Sequence, residues 1–131
     1  MKELMIQTRS PCEMQDITAA VREILRESDV RDGICHIFVP HTTAAVTINE
    51  NADPDVPRDI LKELDTVIPL SDNYRHREGN SAAHIKASLV GASETVLVQG
   101  GRLVLGTWQS VFFCEFDGPR TRKAFVEITG G

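Results

Sequence analysis

The sequence predicts an α+β domain built on a largely antiparallel sheet, and three observations carry that expectation. Strand-like and helix-like segments do not alternate strictly: the reading order is strand, helix, two strands, two helices, four strands. Such an order disfavours a doubly wound parallel sheet, in which a crossover helix follows each strand. The apolar residues between Asp16 and Ser28 are Ile17, Ala20, Val21, Ile24 and Leu25, the i, i+3, i+4, i+7, i+8 stripe of an amphipathic helix. The C-terminal part is strand-rich and is broken by turn signals at Gly100-Gly101 and at Asp117-Gly118-Pro119-Arg120.

Taken in order, residues 2–9 read as the first strand and Asp16 as the N-cap of the first helix. Gly33 is a break before a buried strand over residues 34–39, and Pro40 separates this from a β-branched run over 41–49. Asp53-Pro54 pairs a capping residue with a proline at the first helical position. The helix it opens turns Val56, Ile60, Leu61 and Leu64 inward and stops before Pro69. Asn80 and Gly91 bracket a third helix. Residues 95–99 and 102–105 form a hairpin around the two glycines, and residues 107–116 and 121–129 a second hairpin around the Asp-Gly-Pro-Arg turn. No repeat, linker or biased tract interrupts the chain, so residues 1–131 read as one domain.

Composition narrows the function classes. With 41% hydrophobic residues, the 131-residue chain can build a core without disulfides or a structural metal. Its net charge of −5 argues against sequence-blind nucleic-acid binding, which draws on a basic surplus. Cys12, Cys35 and Cys114 make no CxxC, and Cys35 and Cys114 sit in apolar runs as inert core thiols. There is no run of 18 apolar residues and no apolar leader after Met1, so a cytoplasmic setting without membrane contact is expected.

Four histidines are the first candidates for chemistry. In a strand over 41–49, His41, Thr43, Thr47 and Asn49 share one face and Ala44, Val46 and Ile48 the other. The polar face runs on into Glu50 and Asn51; a solvated sheet face is the plainer reading. The loop from Asp72 to Asn80 holds Arg75, His76 and Arg77 and precedes a helix whose free N–H groups suit an anion. His84, near the start of that helix, points back towards His76. With His41, these imidazoles would offer three ligands to a divalent ion, Mg or Zn. The spacing lacks the specificity of an HExxH motif, and a hydrogen-bonded structural role for each stays open. His36, inside an apolar strand, reads as a satisfied core residue. Trp108, beside Gly106 and Gln109, suits either core packing or stacking on a flat heterocycle. Arg120 is either a solvated turn residue or a fork for phosphate, oriented by Asp117.

His41-Thr42-Thr43-Ala44 with Ile48-Asn49-Glu50, then Tyr74-Arg75-His76, Asn80 and Ala83-His84, resembles the YjbQ-like family. The resemblance continues through Ser93, Gly100, Leu103-Val104-Leu105-Gly106-Thr107-Trp108-Gln109 and Asp117-Gly118-Pro119-Arg120, spanning nearly the whole chain. It implies a two-sheet sandwich with about three helices, assembled as a homotrimer around packed sheets. It also implies the family's label, secondary thiamine-phosphate synthase. That reaction joins a pyrimidinylmethyl pyrophosphate to a thiazole phosphate and expels pyrophosphate, so it needs cationic side chains and a divalent ion at the leaving group. Glu50, Asp72, His76 and Asp117 are the catalytic candidates. Asn49, Arg75, Asn80, Trp108, Gln109 and Arg120 are the substrate and phosphate candidates, with Arg77 a further cation. The chain is too short for a TIM barrel of about 250 residues, so the activity would need another scaffold. Two other readings remain beside the transferase: a metal-dependent hydrolase of a phosphorylated metabolite, and a non-catalytic metabolite-binding trimer.

Overall fold

Which neighbours each strand finds sorts the strands into two sheets. The computed structural model describes residues 1–131. Its strands are β1 (Lys2–Gln7), β2 (Glu13–Asp16), β3 (Gly33–Phe38), β4 (Ala44–Glu50), β5 (Ser93–Gln99), β6 (Arg102–Leu103), β7 (Gln109–Glu115) and β8 (Thr121–Gly130). Three helices join them: α1 (Thr18–Ser28), α2 (Asp55–Val67) and α3 (Ser81–Val90). One sheet has the order β1-β8-β3-β5-β6 and the other β2-β7-β4, with every pairing antiparallel. The α+β, two-sheet, antiparallel expectation therefore holds.

The layers follow from side-chain alternation. Cys35, Ile37, Val96, Val98, Ala124 and Val126 of the larger sheet meet Ala44, Val46, Val111 and Phe113 of the smaller one, and Val21 and Leu25 of α1 join them. The other face of the smaller sheet, Ala45, Phe112 and Cys114, is covered by Ala83 and Ala87 of α3 with Leu61 and Leu64 of α2. β4 is thus buried on both sides, so Ala44, Ala45 and Val46 are all inaccessible. This corrects the expected polar face on residues 41–49: Ala45 occupies its middle, a helix covers it, and residues 41–43 precede the strand.

One strand was not foreseen and two further expectations need correction. β2 has no apolar alternation to signal it; pairing with β7, through Glu13↔Glu115 to Asp16↔Phe112, makes it a strand. β7 and β8 are not a hairpin. β7 pairs with β2 and β4 while β8 pairs with β1 and β3, so residues 116–120 are a corner between sheets. A Cβ on Gly118 would stand 2.5 Å from the Ser10 backbone oxygen, which explains the glycine there. His36 is exposed rather than in the core: with Cys35 and Ile37 pointing inward, alternation turns it outward, where Thr95 Oγ1 lies 3.3 Å from Nδ1. The β5–β6 hairpin and the three helices lie where they were expected. Asp16 and Asp53 each accept an N–H two residues on, from Thr18 and Asp55, at 2.9 Å. The core-thiol reading of two cysteines also holds, burial pushing Cys35 to about 11 and Cys114 to about 12.

Candidate functional site

The corner between β7 and β8 is built from a charge buried in an apolar run. Glu115 interrupts the apolar stretch from Val111 to Phe116 and is fully inaccessible; Arg122, on the inward phase of β8, is 3% exposed. Glu115 Oε1 accepts from Thr8 Oγ1 (2.7 Å) and Arg122 Nε (2.9 Å), and Oε2 accepts from the Asp117 backbone N–H (3.0 Å). Oε2 also pairs with Arg122 Nη2, which donates to Thr43 Oγ1 at 2.8 Å. Burial pushes the Glu115 carboxyl up, but these donors outweigh it and hold it below the ordinary glutamate value. The pair thereby ties the 117–120 turn to the 41–43 segment.

On that foundation stands a polar chain. Arg120 donates from Nε to the Asp117 carbonyl (2.9 Å) and from Nη2 to Asp117 Oδ2 (3.1 Å). Asn80 Nδ2 donates to the same Oδ2 at 3.0 Å, and Asn80 Oδ1 accepts from His76 Nε2 at 3.0 Å. Asn80 makes no side-chain cap on α3; its amide instead links the turn to the 68–80 loop. That loop is pinned by Tyr74, whose hydroxyl donates to the Pro69 carbonyl at 2.6 Å. His76 stands edge-on to His84, ring centroids 5.4 Å apart.

His84 lies between two shallow cavities. One, of ≈310 Å³, is lined by Tyr74, Arg75, His76 and Ser81 as well; the other, of ≈480 Å³, by His41, Thr42, Ser88 and Gly91. His41 Nε2 accepts the Lys123 backbone N–H at 3.0 Å. Burial, reinforced by the Arg122 guanidinium, lowers the His41 pKa below the ordinary histidine value, so the ring is neutral at pH 7. With Nε2 accepting, Nδ1 carries the proton. That leaves His41 no lone pair for a metal in this arrangement, and no three His, Cys, Asp or Glu side chains of the chain are placed to hold an ion. The donor set of a single chain does not fit the His41, His76, His84 metal site.

The other candidates stand elsewhere. Asp72 and Arg77 are exposed on the loop without an ion-pair partner. Asn49, Glu50, Trp108 and Gln109 gather at the opposite end of the smaller sheet. The pairing runs from Ala44↔Glu115 at one end to Glu50↔Gln109 at the other, six residues and roughly 20 Å away at about 3.3 Å per residue. Trp108 is 62% exposed, so it is not core packing.

Sequence reasoning missed Lys86, Glu115 and Arg122. Lys86 is 4% exposed. It pairs with Asp65, reaches Cys12 Sγ at 4.0 Å and floors a cavity of ≈360 Å³ shared with Asn80 and Asp117. The signals were charges in apolar phase. Lys86 falls on the Ala82, Ala83, Ala87 stripe of α3, and Glu115 interrupts an apolar strand whose ion-pair partner is seven residues on.

These features define a class: a two-sheet α+β protein with a histidine, amide and arginine cluster where the sheets part company. The chain belongs to the YjbQ family, described as UPF0047 protein YjbQ-like, whose model matches residues 2–131. It is 53% identical over 131 residues to the UPF0047 protein YugU of Bacillus subtilis, covering 99% of each chain. It is 54% identical over 125 residues to a UPF0047 protein of Methanocaldococcus jannaschii, covering 95% of this chain and 91% of that one. A crystal structure of an uncharacterized conserved protein of the family from Clostridium acetobutylicum superposes with a TM-score of 0.97 at 53% identity, over 98% of this chain and 100% of that one. A protein of unknown function from Sulfolobus solfataricus gives 0.96 at 38% identity, over 99% and 96%. None of these descriptions carries the thiamine-phosphate synthase label that the sequence resemblance implies.

Proposed function

We propose that the cluster around His76, His84, Asn80, Asp117 and Arg120 binds a phosphorylated heterocycle and that the protein is a transferase of the thiamine-phosphate synthase type. In that reaction the thiazole nitrogen attacks the pyrimidinylmethyl carbon. The C–O bond breaks, and pyrophosphate leaves with the electron pair. The leaving group needs positive charge and N–H donors held in place before it forms. The observation that carries the reading is the hydrogen-bonded chain His76–Asn80–Asp117–Arg120. It orients an imidazole and a guanidinium from two different loops, with Arg75 beside them and unpaired. A divalent ion belongs to this proposal as a companion of the pyrophosphate oxygens rather than as a resident of a three-histidine site. A cytoplasmic setting, in reach of phosphorylated metabolites, is part of the same reading.

Self-association as a homotrimer is also part of it. Its support is the outer face of the larger sheet, which no helix covers and where Met5, Phe38, Leu97 and Val104 are exposed. Assembly would let the Trp108 and Glu50 end of one subunit approach the His76 end of another. Sedimentation equilibrium should give three chains; a monomer at micromolar concentration refutes the assembly.

The activity test mixes both thiamine precursors with Mg and follows pyrophosphate. Release that Arg120→Ala or Asn80→Ala abolishes supports the transferase. Inorganic phosphate from one substrate alone overturns it in favour of a hydrolase, and saturable binding without turnover in favour of a binding protein.

A further inference from the structure

The largest cavity of the molecule is not at the histidines. It is a groove of ≈550 Å³ between α1 and the β5–β6 turn, within the few hundred to a thousand Å³ typical of small-molecule sites. Arg22 and Arg26 line it from successive turns of α1, and Arg102 lines it from β6. Leu25 and Leu103 form its buried floor. A fourth guanidinium, Arg31, stands at the rim: a Cβ on Gly101 would lie 3.2 Å from its Nη1.

The charge balance of this groove is opposite to that of the chain. Four arginines meet two carboxylates, Glu23, which pairs with Arg26, and Asp32, whose Oδ1 accepts the Gly100 N–H. Arg22, Arg31 and Arg102 have no ion-pair partner, although the whole chain carries −5. Like charges at i and i+4, as at Arg22 and Arg26, destabilise a helix. Glu23 offsets only one of these charges, so the groove keeps a surplus of positive charge that suits an anion. Guanidinium forks match phosphate oxygens bidentately, and three along one groove from two elements suit a ligand with several phosphates in series better than a single small anion.

We propose that this α1–β6 groove is a second binding site, separate from the histidine cluster, for a nucleotide-sized oligophosphate. The phosphates lie on Arg22, Arg26 and Arg102, and the less polar part of the ligand lies over Leu25 and Leu103.

The test is titration calorimetry of the whole protein with ATP and with tripolyphosphate at low and physiological salt. Adenosine serves as the uncharged control and Arg75→Ala as the control for the histidine site. Arg22→Ala/Arg102→Ala alters two exposed side chains and should fold normally; Ala19→Asp leaves every arginine in place and adds a carboxylate to the groove. Saturable binding of both oligophosphates should survive Arg75→Ala, weaken about tenfold or more in the double arginine variant, and weaken similarly in Ala19→Asp, since each lost charge-assisted contact is worth about one to two decades. Absence of saturable binding, binding indifferent to both groove variants, or binding lost in Arg75→Ala overturns the proposal. None of these outcomes depends on pyrophosphate release, so the transferase reading stands or falls separately.

Discussion

Removing the charge of Glu115 tests whether the corner between the sheets rests on the buried pair. Glu115 accepts from Thr8 Oγ1, from two nitrogens of Arg122 and from the Asp117 N–H, and both members of the pair are almost wholly inaccessible. Glu115→Gln keeps the shape but strands the Arg122 guanidinium without a counter-charge and turns an amide NH2 towards existing donors. Breaking a buried pair from one side costs about 3–5 kcal/mol. At about 3–5 °C per kcal/mol for a chain of this size, the melting temperature should fall by roughly 10–25 °C. Glu115→Leu with Arg122→Met removes both charges. It should be less destabilised than the sum of its single variants by at least about 1 kcal/mol, because neither charge is then left alone. Thermal and urea denaturation followed by circular dichroism read both quantities. A drop below about 3 °C for Glu115→Gln, with additive single variants, would show that the pair does not hold the corner.

Trp108→Leu should leave the melting temperature within about 2 °C of the parent, since an exposed indole leaves no cavity behind; a fall of several kcal/mol in denaturation would contradict that placement. If the indole stacks on the heterocycle, the same variant loses ligand affinity in fluorescence or calorimetric titration. Asn80→Ala, which removes the link between His76 and Asp117 but no helix cap, should cost about 1 kcal/mol of stability. It should lower turnover or binding far more than that suggests, whereas equal losses in both would mark a purely structural residue. Stability should also fall with acid in two stages. The His41 pKa is lowered by folding, so the unfolded chain binds its proton first and stability declines below about pH 6.5. Glu115 is likewise held below its ordinary value, and its contribution is lost as pH falls below about 4.5 through the folded value. A denaturation series from pH 8 to 3 checks this. Unchanged stability between pH 7 and 5.5 in the parent, or the same decline in His41→Asn, would exclude His41 as the cause.

Local signals determined the kinds of element and most of their limits. The apolar stripe of Ile17, Val21, Ile24 and Leu25, the Asp53-Pro54 start and the Gly100-Gly101 turn act within a few residues, and the helices and the β5–β6 hairpin formed accordingly. The loop residues His76, Asn80, Asp117 and Arg120 were legible as polar residues beside turns and a helix start. Tertiary structure alone decided what they met. Glu13 to Asp16 became a strand because the edge of β7 was available, not because of its own alternation. β7 and β8 separated into different sheets despite a turn that suits a hairpin, β7 lying between β2 and β4 and β8 between β1 and β3. The same separation buried Glu115 against Arg122 and carried Glu50 and Trp108 to the far end of β4 and β7, away from the histidines. Periodicity and capping are short-range and can be read from a chain one window at a time. The choice of strand partner, and of what covers a strand's second face, minimises exposed apolar surface and unpaired polar groups over the whole molecule at once.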